Sequence, residues 1–444
     1  MGYPMRRRAL ALLAAGAFAL GVSPAHAWVP EKTPKRHLEA QIRRTITAPP
    51  ARFATPGILV MRGGHAAVDI NGGHAFRPAS LLKLATTMSA VANFGVDHRF
   101  ATRVFGRSPV AGTTGTITLV GGGDPTLATE AYRREHFLPK PDDPIPVPVF
   151  ASGSPTVERL AATMLSKGIR RVNGDLLVDD TLFDARRTQP GWIADYQRND
   201  PDIANIGALT VNEGYSDLDG NVLYPDPAIG AGRQLVAALA ARGVVVTGRV
   251  RRGRAPAGTR ELARIESPPF GEIIDYTNRY SANYPAEIML KGLGARFGGA
   301  GTTVAGAAVV RKTLTDAKIP LDGFSMHDGS GLSLFNRMTP RTIGAVLDWI
   351  LRADGANGAV LRASLPVAGG PGTLFERMED PPTGGNLRGK TGFIRQVRGM
   401  AGWVTPADGV PLVYVALFND APRPLALTSP LDIIGTTLAL FGRG

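Results

Sequence analysis

The tightest constraint on the fold lies near the C-terminus, where three β-like segments, "LRGKTGFI", "GMAGWVTP" and "LVYVALFN", follow one another across very short connections. Strands joined so closely pair antiparallel, because a parallel return needs a crossover of about a dozen residues or more. A second pair of β-like runs, "GILVMRGGHAAVDING", turns around Gly63-Gly64 and reads as a hairpin. Helical stretches surround these strands. One opens at Ser80 in "PASLLKLATT", and others lie in "SPPFGEIIDYTNRY", "TPRTIGAVLDWILRA" and "LTSPLDIIGTTLALFG". Ser267 and Thr339 each stand just before prolines of a first turn, which predicts an N-cap at both. The pattern is that of an α+β domain, an antiparallel sheet flanked by helices.

Beyond Phe100 the texture changes. "TGTITLVGGGDPTL" is followed by a proline-rich stretch from Leu138 to Phe150, an amphipathic helix in "TVERLAATMLSKGIRR", a strand in "VNGDLLVDDTLF", and a helix then a strand in "LVAALAARGVVVTGRVRR". This second unit ends near Glu266. The expected organisation is a main domain from residues 28–98 and 266–444, split by a large inserted β-rich domain, 99–265, of one or two subdomains.

The first residues place the protein outside the cytoplasm. Arg6, Arg7 and Arg8 precede an apolar run from Ala9 to Val22, then Ala25-His26-Ala27, the pattern of a cleavable signal peptide. Cleavage after Ala27 leaves 417 residues, expected in the periplasm with at most peripheral membrane contact. It lowers the net charge from +13 to +10, since the segment holds three arginines and no acid. A basic surface suits an anionic envelope, and no basic aromatic module for nucleic acid occurs. With no cysteine in the chain, disulfides, thiol catalysis and thiolate metal sites are excluded.

Ser80 has two readings, helix cap or nucleophile. A serine hydroxyl needs a base within hydrogen-bond reach, and Lys83, three residues on along a helix, lies on the same face. The lysine must be neutral to accept a proton, which burial or a neighbouring cation would achieve. Ser-x-x-Lys is common by chance. Its company is not: Ser281-Ala282-Asn283 and Lys390-Thr391-Gly392 follow in that order, each pattern occurring once.

These three motifs resemble those of the active-site serine penicillin-binding proteins and β-lactamases. The gap of about 200 residues between Ser80 and Ser281, with "GGGDPTL", "NRYSANYPAEIMLKGLG", "DGSGLS", "NRMTP" and "LPVAGGPGTL", is similar to the D-alanyl-D-alanine carboxypeptidase and endopeptidase family of class C low-molecular-mass penicillin-binding proteins (peptidase family S13). The resemblance implies a β-lactamase/transpeptidase-like domain that trims peptidoglycan stem peptides through an acyl-enzyme and is acylated by β-lactam antibiotics. It makes Ser80 the nucleophile, Lys83 the base, Ser281 a proton relay and Asn283 a ligand of the substrate amide. Lys390, Thr391 and Gly392 would bind substrate, with Lys390 also helping to keep Lys83 neutral. The backbone amides of Ser80 and Phe393 would form the oxyanion hole. Two positions depart from the family pattern: Ala282 stands where Asp is usual, and Phe393 where Thr or Ser follows Lys-Thr-Gly. The second removes a hydroxyl that grips the substrate carboxylate. Alternative readings are a peptidoglycan-binding or scaffolding protein of weak activity on the same fold, and a β-lactamase or esterase.

Other features carry less. Asp328-Gly329-Ser330-Gly331 and Gly121-Gly122-Gly123-Asp124 read as turns. The seven histidines show no ligand spacing, so no metal or cofactor is expected. The absence of Gly-x-Ser-x-Gly removes the α/β-hydrolase elbow.

Overall fold

The computed structural model describes residues 35–140, 149–198 and 202–441. The expected signal segment and its cleavage point after Ala27 lie outside the described residues, as does most of the proline-rich stretch.

The chain enters through helix α1 (Lys35–Thr47) and the hairpin β1 (Thr55–Arg62) and β2 (His65–Ile70). A short 3-10 turn, Ala79–Leu82, then runs directly into α2 (Lys83–Phe94). Next come β3 (Ala101–Gly106), β4 (Thr113–Thr114), β5 (Ile117–Val120), α3 (Glu130–His136) and α4 (Val157–Ser166). They are followed by β6 (Arg171–Val172), β7 (Leu176–Asp179), α5 (Pro227–Ala240), β8 (Val245–Val246), β9 (Val250–Arg252) and β10 (Arg260–Glu266). Five helices follow: α6 (Phe270–Arg279), α7 (Asn283–Phe297), α8 (Thr303–Asp316), α9 (Pro340–Arg352) and α10 (Gly355–Ala363). The strands β11 (Arg388–Ile394), β12 (Val397–Val404) and β13 (Leu412–Asn419) precede the last helix, α11 (Thr428–Ala439).

The main sheet has the order β11-β12-β13-β1-β2, antiparallel throughout, as the short C-terminal connections require. Its central strand β13 is buried along its whole length, the mark of a sheet covered on both faces. Alternation divides its side chains between two cores. Val413, Val415 and Leu417 pack with Leu84 and Met88 of α2, Ile274 of α6 and Ile343 of α9. Tyr414, Ala416 and Phe418 pack with Leu38 and Ile42 of α1 and Ile434 of α11. The protein is thus an α+β sandwich whose main sheet has β11 and β2 as its two edges.

A second sheet, β10-β3-β5-β7-β9, is built from the middle of the chain. Its β5, β7 and β9 run parallel, because α4 and α5 serve as crossovers and bury Leu160, Met164, Leu235 and Leu239 against it. Three two-residue strands, β4, β6 and β8, form a small parallel ribbon. The middle segment does not stand apart: Tyr132, Phe137, Phe150, Tyr196 and Tyr215 join the core of the main domain. Within it, Glu213 accepts from the hydroxyls of Tyr132 and Tyr276, each at 3.2 Å.

The two predicted caps part company. Thr339 accepts from the Thr342 amide at 3.0 Å, as a cap does. Ser267 does not cap α6, because the helix begins only at Phe270 and the Phe270 amide donates to His98 O at 2.8 Å instead. Its hydroxyl instead accepts from Phe100 N at 3.0 Å and donates to Pro268 O at 2.7 Å, tying together the two chain crossings between the sheets.

Candidate active site

Ser80 sits in the 3-10 turn that precedes α2, and no side-chain cap bond forms at either helix start. The turn is clamped from three sides. Phe76 and Met338 exchange two backbone bonds of 2.9 Å just upstream. Gly392 of β11 lies so near that a Cβ there would come within 3.2 Å of Pro78 O, and one at Gly331 would come within 2.0 Å of Ala79 O. Ala79 itself has φ +50, an uncommon conformation for alanine that these contacts enforce. The glycine of Lys-Thr-Gly therefore brings the sheet edge against the backbone of the nucleophile turn.

Lys83 is fully buried, and its amine meets three groups: Ser80 Oγ at 2.9 Å, Asn283 Oδ1 at 2.7 Å and Ser330 O at 2.7 Å. Asn283 is the first residue of α7, and its Nδ2 donates to Asp202 O at 3.0 Å, so its oxygen is the atom left facing Lys83. Two of the three partners can only accept. A neutral amine gives its two hydrogens to them, and its lone pair is left for the Ser80 hydroxyl. Burial is the leading cause that lowers the Lys83 pKa to about 7, against the opposing pull of Asp328, Glu287 and Asp202.

Lys390 shares this burial. Its amine is also fully buried, bonded to Thr391 O at 3.0 Å, and is pushed well below the ordinary lysine range by burial first and by Lys83 second. Desolvation, rather than the charge of Lys390, is what leads the depression at Lys83. Ser281 lies two residues before Asn283 with φ +59 and only 8% exposure. Thr391 is similarly buried, at 9%.

The register of β11 places the remaining donor. Gly389 sends its amide outward to Pro366 O at 3.0 Å rather than to β12. By the two-residue alternation of an antiparallel pair, the amides of Thr391 and Phe393 face the same open edge. The Phe393 ring lies on the sheet face opposite Gly392, with the Arg398 guanidinium 5.4 Å from its centre.

Sequence reasoning missed the floor of the site. Asp328-Gly329-Ser330-Gly331 is a turn, yet its Ser330 carbonyl is one of the groups that hold Lys83. Asp328 organises that turn by accepting from Gly331 N at 2.9 Å, Asn336 Nδ2 at 2.7 Å and Trp192 Nε1 at 2.9 Å. Glu287, one helical turn beyond Asn283, accepts from the amides of Gly329 and Ser330. The only signal in the sequence was the four-residue step from Asn283 along one helix face.

Known proteins resemble this chain over most of its length. A chain from an Actinomadura species named D-alanyl-D-alanine carboxypeptidase is 28% identical over 487 residues, covering 91% of this chain and 85% of that one. A carboxypeptidase of Mycobacterium tuberculosis is 30% identical, covering 78% and 71%. The crystal structure of penicillin binding protein 4 from Haemophilus influenzae shares the fold with a TM-score of 0.74 at 19% identity, covering 89% of this chain and 98% of that one. The D-Ala-D-Ala carboxypeptidase 3 (S13) family profile matches residues 38–222 and 219–438. With its sheet, its middle segment and most of its length accounted for in this way, the chain belongs to the D-Ala-D-Ala carboxypeptidase 3 (S13) family.

Proposed function

We propose that the protein is a serine D-Ala-D-Ala carboxypeptidase, with endopeptidase action on peptidoglycan cross-links, and that β-lactams acylate it. The observation that carries this reading is the Lys83 amine, whose two obligate acceptors leave its lone pair to the Ser80 hydroxyl. Ser80 Oγ attacks the carbonyl between the two terminal D-alanines as its proton passes to Lys83 Nζ. The oxyanion sits between the amides of Ser80 and Phe393, and Ser281 relays the proton to the departing amine. Water then releases the shortened stem peptide from Ser80, with Lys83 again as base. Asn283 and Thr391 hold the substrate's amide and carboxylate groups. A carboxylate entering beside Lys390 favours its ammonium form, so this lysine gains its charge with the substrate.

In this reading residues 28–98 and 266–444 form the catalytic domain, 99–265 the insertion, and the chain works in the periplasm after cleavage at Ala27. No helix among the described residues is long and apolar enough to cross a membrane.

Incubation with benzylpenicillin should add one acyl group to the protein, mapped by digestion to the peptide that contains Ser80. Incubation with an N-acylated D-Ala-D-Ala peptide should release one equivalent of D-alanine. A well-folded chain that does neither is a binding or scaffolding protein, and one that frees the drug rapidly is a β-lactamase.

The acylation rate should rise with pH through about 7, since the base is neutral only above the Lys83 pKa. A stopped-flow profile in which the rate stays flat from pH 5.5 to 8 would remove Lys83 as the base. Phe393→Thr should restore a hydroxyl next to the carboxylate site. It should raise the preference for stem peptides with a free terminal carboxylate over cross-links by about tenfold, the worth of one hydrogen bond to a charged group, read from kcat/KM on the two substrates.

A further inference from the structure

The helix that carries Asn283 also carries a carboxyl group at Glu287, one turn on and fully buried. Its Oε1 accepts from Gly329 N at 2.9 Å and from Ser330 N at 2.7 Å. Its Oε2 is buried without a hydrogen-bond partner among the described residues. The charged groups around it have their bonds committed elsewhere. Lys83 is held by Ser80, Asn283 and Ser330, and Lys291, one further turn along α7, by Asp184 and the Arg186 carbonyl. Asp328 accepts from Gly331, Ser333, Asn336 and Trp192. Among the described residues the Ser330 hydroxyl is the one side-chain donor that reaches this carboxyl, and Oε2 itself takes no hydrogen bond.

An ionised carboxylate oxygen buried without a donor is far costlier than the hydroxyl of a neutral acid. Burial first, and then the charge of Asp328, push the Glu287 pKa up to about 8. The same neutrality serves the base. A charged Glu287 raises the pKa of Lys83, whereas a neutral one lets burial keep that amine deprotonated.

We propose that Glu287 is a positioning residue that works as a neutral acid, its Oε1 pinning the Gly329 and Ser330 amides so that the Ser330 carbonyl occupies one Lys83 hydrogen and the lone pair stays on Ser80. The inference rests on the Ser80 and Lys83 reading above. It separates two roles for one side chain: a charge that tunes Lys83 directly, or a clamp that acts through the turn at residues 328–331.

The experiment measures second-order acylation by benzylpenicillin across pH 5.5 to 9 for the wild-type chain, Glu287→Gln and Glu287→Ala. Glutamine keeps the accepting oxygen and is always neutral. Glu287→Gln should therefore stay within about threefold of wild type, with the acidic limb of its profile unmoved from that of the wild type, while Glu287→Ala should be about 30-fold slower at every pH because the two amides lose their acceptor. Urea unfolding of each variant shows whether the slow alanine variant is folded, and if it is not, the glutamine variant decides alone. A glutamine variant as slow as alanine, or one whose acidic limb moves to lower pH, would show that the working form is the carboxylate and overturn the proposal. So would a folded alanine variant as fast as wild type. Absence of any Ser80 adduct on the wild-type chain is a different result, one that fails the catalytic reading itself.

Discussion

Ser80→Ala should take up no benzylpenicillin and release no D-alanine, while Lys83→Met should still be acylated, about 10³-fold more slowly than wild type. The two losses differ because the two groups do different work. Alanine at position 80 removes the atom to which the acyl group is attached, and no neighbouring hydroxyl replaces it. Methionine at position 83 fills nearly the volume of the lysine chain, so Asn283 and the Ser330 turn keep packing contacts while the hydroxyl loses its proton acceptor. The oxyanion donors are backbone amides and remain, which is why some acylation should survive. The pH profile distinguishes this account from a purely structural one. The residual rate of Lys83→Met should lack the acidic limb near pH 7 that the Lys83 pKa imposes on the wild type. A methionine variant acylated within tenfold of wild type, or one that keeps that limb, would move the base to another residue.

What the chain revealed in one dimension, and what it hid, follows from the kind of atom involved. Ser80, Lys83 and Asn283 were visible because their side chains recur at set spacings, and the structure brings those three within hydrogen-bond distance. The main sheet was visible because β11, β12 and β13 are separated by turns too short for anything but antiparallel pairing. The Ser330 carbonyl was invisible, since every residue has one and the sequence of a turn does not say where its carbonyls point. Glu287 was hidden for a different reason: an acid inside a helical run reads as a solvated face, and only packing against the turn of residues 328–331 makes it buried. The parallel pairing in the second sheet escaped notice because β5, β7 and β9 are three or four residues each, and strands that short do not say which neighbour they join across the helices between them. Ser267 misled because its hydroxyl was matched to the helix after it, when its partner is Phe100, far away in sequence.

Gly331→Ala should be among the most damaging single changes in the chain, more so than its size suggests. The residue has φ +90, and a Cβ there would lie 2.0 Å from Ala79 O and 3.1 Å from Ser80 N. Left-handed backbone alone costs a non-glycine residue roughly 1–3 kcal/mol. Here there is also no room, so the methyl must push away either the nucleophile turn or the preceding Ser330 carbonyl that holds Lys83. Both displacements strike the same hydrogen bond, the one between Ser80 and Lys83. The expected result is a loss of stability of about 3 kcal/mol or more, and acylation per folded molecule slower by at least about 100-fold, as sub-ångström misplacement of reacting groups produces. Gly299→Ala supplies the comparison. Gly299 has φ +78 but nothing within 4 Å of its would-be Cβ, so the backbone strain is present and the crowding is not. It should cost roughly 1 kcal/mol and leave acylation unchanged. If urea unfolding and stopped-flow acylation put the two variants on the same footing, the close contact between Gly331 and the Ser80 turn does not set the geometry of the nucleophile, and the clamp around Ser80 must be sought in the Gly392 and Phe76 contacts instead.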